Sequence, residues 1–109
     1  MDLKTRIDTG DFDNKQLILI DEIIQKVKWA IENAELPNVD AQEIKKLTGK
    51  ICFGIASLID NSATIKIDGK EIIPYLTFFD GQDTLIHHGS TSFLHEYVYG
   101  VLDDVFNET

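Results

Sequence analysis

Leu58-Ile59-Asp60-Asn61-Ser62-Ala63-Thr64-Ile65-Lys66-Ile67-Asp68-Gly69-Lys70 is the stretch on which the reading of the fold depends. Up to Leu58 the apolar residues recur every three or four positions, the period of a helix; from Ala63 they alternate, the period of a strand. Asp60-Asn61-Ser62 closes the helix, because Asn adopts left-handed backbone at little cost. Asp68-Gly69 predicts a two-residue hairpin turn of type I′, which needs positive φ at both central positions.

Working back from this point, Asp40-Ala41-Gln42-Glu43 has the form of a capping box. Ile44, Leu47, Ile51, Ile55 and Leu58 follow it at helical spacing. Gly49 and Gly54 within that helix predict either a close neighbour or a bend, since each costs about 1 kcal/mol against Ala. An earlier helix is read from a second capping box at Asp13–Gln16, with Ile20, Ile23, Ile24, Val27, Ile31 and Ala34 as its apolar stripe and Pro37 as its stop. Leu17 to Ile20 could alone be a short strand, because four apolar residues do not fix a period. Residues 1–12 show no period and are expected as a loosely ordered arm.

Working forward, Lys70 to Phe79 returns as the hairpin partner, with Pro74 confined to an edge position or bulge because it has no N–H to donate. Asp80-Gly81 makes another turn, and Thr84 to His88 reads as a third strand. Gly89-Ser90-Thr91-Ser92 leads into a last helix on which Leu94, Tyr97, Val98, Val101, Leu102 and Val105 share a face. The predicted order is α-α-β-β-β-α: one α+β domain of two layers over residues 1–109, a small antiparallel meander packed against helices.

Composition narrows the function. With 109 residues, 43% hydrophobic and 27% charged, the chain has the balance of one ordinary globular domain. Met1-Asp2-Leu3-Lys4-Thr5-Arg6 lacks the pattern of a secretory signal, and no apolar run reaches spanning length. Cys52 is the single cysteine, so no internal disulfide can form. A reducing cytoplasm is the expected home, without a membrane partner. Net charge is −9, and it is uneven: residues 1–50 carry eight Lys and Arg against ten Asp and Glu, whereas residues 51–109 carry two against nine. Such a surface repels phosphate, which disfavours direct nucleic-acid binding and admits a basic protein partner.

Little in the chain points to catalysis. His87, His88 and His95 are the only histidines, and as strand neighbours His87 and His88 would face opposite ways, which weakens a shared metal site. Cys52 sits mid-helix among apolar residues, where a thiolate is disfavoured. Glycine loops for phosphate and nucleophile elbows are missing from the sequence. The expectation is therefore no catalytic residue, no cofactor and no metal.

Opposite the apolar stripe of the last helix stand Glu96, Tyr99, Gly100, Asp103 and Asn107, with Asp104 and Glu108 alongside. Tyr99 could anchor a partner while these acids, extended by Asp80 and Asp83 on a hairpin tip, meet its Lys and Arg side chains. The expected function is a small acidic protein-binding protein, of the immunity or antitoxin-like kind, that neutralises a basic effector such as a nuclease toxin. Two alternatives stand beside it: a small metal-dependent enzyme or ligand binder using His87, His88 and His95, and a subunit of a larger assembly.

Overall fold

Asp8 begins the first helix because its carboxylate accepts from the backbone N–H of Asp11 at 3.1 Å, an N-cap five residues ahead of the Asp13 start expected from sequence. The computed structural model describes residues 2–107. In chain order the elements are β1 (Lys4–Ile7), α1 (Thr9–Asn33), α2 (Ala41–Ile59), β2 (Ile65–Ile67), β3 (Lys70–Ile72), β4 (Phe78–Phe79), β5 (Thr84–His87) and α3 (Leu94–Asn107). Leu17 to Ile20 is helix, in the middle of α1. Asp40 caps α2 as expected, accepting from Glu43 N–H at 2.8 Å.

The α+β class and the order of the helices and strands hold, with one strand added in front and the expected Lys70–Phe79 strand divided into β3 and β4. That strand is the segment expected as a loose arm. Lys4 to Ile7 pair in parallel with Thr84 to His87, and Lys4 N–H reaches the Asp83 carbonyl at 2.8 Å. A parallel partner far along the chain leaves no local signature, which is why the pairing is invisible to a window of neighbouring residues.

The strands divide into two sheets. β2 and β3 form a hairpin turning on Asp68 and Gly69, whose φ angles of 52° and 76° satisfy the type I′ turn. β3 stops at Ile72, two residues before Pro74. The chain then starts a second sheet, ordered β1-β5-β4, in which Phe78 lies opposite Ile86 and Phe79 opposite Leu85. The expected meander is thus interrupted at its proline.

The three helices pack together around Ile20, Ile24, Cys52, Ala56, Leu94, Val98, Leu102 and Val105. Fully burying a Val, Leu or Ile side chain is worth about 1.5–3 kcal/mol. On α1 and α3 the expected stripes face this core. On α2 they do not: the buried side is Thr48, Gly49, Cys52 and Ala56, while Leu47, Ile51, Ile55 and Leu58 are all more than one-third exposed. Small residues win because they let the other helices come close. A methyl on Gly49 would stand 2.8 Å from Leu102 Cδ2 and 3.2 Å from Tyr99 Cε1, so α3 rests on bare backbone there.

Candidate functional site

On α3, Glu96, Tyr99 and Asp103 fall three and four residues apart and so line one side of the helix. Tyr99 is 52% exposed, yet it is not free to swing. One edge of its ring lies over Gly49, and its face tilts 31° to the Phe53 ring with centroids 5.8 Å apart. Phe53 in turn meets His95 edge-on at 5.9 Å. His95, Phe53 and Tyr99 therefore form a row of rings along the seam between α2 and α3, partly open to solvent.

The end of that row is fastened by Asp60, the residue after α2. Its side chain is fully buried, accepts from His95 N–H at 2.7 Å and from His95 Nδ1–H at 2.5 Å, and takes the Ser92 hydroxyl as well. One residue thus closes α2 with its backbone N–H and opens α3 with its carboxylate. Ser62 Oγ lies 3.4 Å from His95 Nδ1.

Acids surround the rings unevenly. Glu96 and Asp104 are exposed, whereas Asp103 spends part of its charge on Lys45 of α2 at 2.7 Å. An open depression of about 530 Å³ lies beside Tyr99 and Asp103, walled by Lys45 and Phe106. Burial, then the carboxylates of Asp13 and Glu96, raise the Tyr97 phenol above its ordinary range. Glu108 lies outside the described residues.

Asp80 and Asp83 have other work. The Asp80 carboxylate accepts from the N–H groups of Gln82, Asp83 and Thr84 at 2.8, 3.1 and 3.1 Å, bonds that hold its pKa below the ordinary value. Asp83 pairs with Lys4 at 3.2 Å and accepts from the Thr84 hydroxyl at 2.8 Å. Both shape the turn before β5, at the opposite end of that strand from the loop entering α3.

The histidines are engaged separately. His87 Nδ1 is hydrogen-bonded with the Tyr75 hydroxyl at 2.8 Å, His88 Nδ1 with the Ser90 hydroxyl at 3.0 Å, and His95 with Asp60. His88 Nε2 also stands 3.8 Å from Asp13, between the rings of Phe12 and Phe93. Among the described residues no group of three or more His, Cys, Asp or Glu side chains is placed to hold a metal ion. No helix among them is long and apolar enough to cross a membrane.

Two contributors were missed in the sequence. Phe53 stands two positions from the apolar stripe of α2 and carries no motif. Asp60 reads as a helix terminator, and its bond to His95, 35 residues on, is not local. No family model matches the chain, and no curated protein or solved structure matches it significantly.

Proposed function

We propose that this protein acts by binding another protein, as an immunity-type or antitoxin-like inhibitor that covers a basic effector such as a nuclease domain. The observation that carries this reading is Tyr99: half exposed, fixed against Phe53 and Gly49, with Glu96 and Asp103 on its side of the helix and exposed Asp104 further round. A ring already held in place loses little conformational freedom when a partner covers it, which is what makes such residues strong anchors. The net charge of −9 adds long-range attraction for a cationic surface and speeds encounter. A single buried thiol, Cys52, agrees with a reducing compartment, and the cytoplasm is the place where an inhibitor of a self-made effector is needed.

The test is partner capture from the native cell at low ionic strength, with wild type, Tyr99→Ala and the pair Glu96→Lys with Asp104→Lys. The expected result is a basic protein retained by wild type, released by salt and lost from both variants. Retention of no basic protein, or retention indifferent to all three positions, overturns the reading.

A further inference from the structure

The chain has more surface than one of its size should. A monomer of 12.3 kDa is expected to expose about 6,100 Å², and this one exposes 7240 Å². Its radius of gyration of 16.2 Å likewise exceeds the roughly 13 Å of a compact chain of this length. The surplus is of the order of the 800 Å² or so that each subunit contributes to a stable interface. Part of it is the projecting β2–β3 hairpin, and part is the outer side of α2, where Leu47, Ile51, Ile55 and Leu58 lie at steps of four, four and three and are 37 to 46% exposed.

We infer that this side of α2 is where a second copy of the chain docks, the two α2 helices packing antiparallel about a two-fold axis near residue 53. Charge selects the occupant. Two molecules of charge −9 repel each other except where one of them is locally not negative, and α2 carries Lys45, Lys46 and Lys50 against Glu43 alone. Lys46 and Lys50 have no ion-pair partner among the described residues. An antiparallel copy sets them beside the C-terminal end of the other α2, whose last turn holds no basic residue and where the negative end of the helix dipole favours a cation. Ile51 then meets Ile55 of the copy, and Leu47 meets Leu58, while Gly54 lets the backbones approach because nothing stands within 4 Å of where its Cβ would be. Phe53 lies about 200° round the helix from Ile51. The Tyr99 face therefore stays open in the pair, and the inference stands independently of the inhibitor reading.

Sedimentation velocity of the purified chain at micromolar concentrations tests it. The expected species has twice the 12.3 kDa chain mass. Ile51→Glu and Leu58→Glu should each halve that mass while keeping the helical circular dichroism and a cooperative melt, since both side chains are already partly in solvent. Gly54→Cys should form an intermolecular disulfide on mild oxidation, a readout that introduces no charge. A wild-type monomer, a dimer that survives both Glu variants, a Gly54→Cys chain that never cross-links, or a dimer broken by Ile67→Glu in the hairpin instead would each overturn the assignment.

Discussion

Asp60 ties the end of α2 to the start of α3 through one side chain. Its carboxylate is buried and holds Ser92 and both nitrogens of His95 that face it. Removing it leaves those donors without an acceptor, at about 1–3 kcal/mol for each one orphaned. Asp60→Ala is accordingly expected to lose about 2–4 kcal/mol in denaturant unfolding; a loss below half a kcal/mol would show that the carboxylate is dispensable. Asp80 acts in the same way in solvent. Its folded pKa is below the ordinary Asp value of 3.8, so the stability it lends is present above that value and disappears as the pH falls through the lower, folded one. Melting temperature followed downward from pH 5 should fall less steeply in Asp80→Ala than in wild type. Cys52 has the opposite sign: burial pushes its thiol up to about 11, so its contribution is intact below the ordinary thiol value and is lost as the pH climbs toward that figure. Labelling of native protein by a thiol reagent at neutral pH should be as slow as global unfolding, and fast labelling would place Cys52 outside the core.

Among the elements, the helices were legible because each repeats its signal over several turns. The boundary at Asp60-Asn61, with Asn61 at φ 59°, and the Asp68-Gly69 hairpin were legible because their backbone needs few residue types. The sequence could not show which side of α2 is buried. Leu47, Ile51, Ile55 and Leu58 make the stronger apolar stripe, yet Gly49, Cys52 and Ala56 face inward, since helix packing rewards close approach as well as greasiness. Two helical glycines, one at this seam and one on the open side of α3, test that account in opposite directions. Gly49→Ala should destabilise despite the better helix propensity of Ala, because the new methyl strikes Leu102 and Tyr99. Gly100→Ala meets nothing within 4 Å and should stabilise by about 0.5–1 kcal/mol. Equal shifts of the same sign in thermal unfolding would show that contact at Gly49 does not decide its identity. β1 was beyond the reach of sequence for a related reason, its partner β5 lying about 80 residues away in register Lys4 to Thr84. The ring row at the candidate interface was half legible: Tyr99 and its acids were visible as a helix face, but Phe53 and the Asp60–His95 bond join it only through tertiary structure.

At the scale of the molecule the charge of −9 is a standing repulsion that folding must overcome. Added salt screens it over about 10 Å at 0.1 M, so the melting temperature should rise with sodium chloride, and a fall would mean that ion pairs such as Lys45–Asp103 outweigh the repulsion. The way the chain is threaded has a further consequence. The hairpin tip at Asp68-Gly69 is exposed and stands away from the helices, and it divides the core evenly: Ile20, Ile24, Cys52 and Ala56 lie before it, Leu94, Val98, Leu102 and Val105 after it. Neither half can bury its apolar side alone, and each carries one partner of the β1–β5 pairing and of the Asp60–His95 bond. Two separately made peptides meeting at that tip should therefore find each other and restore the native helical spectrum on mixing, so that the molecule behaves as a matched pair of fragments that happen to be covalently joined.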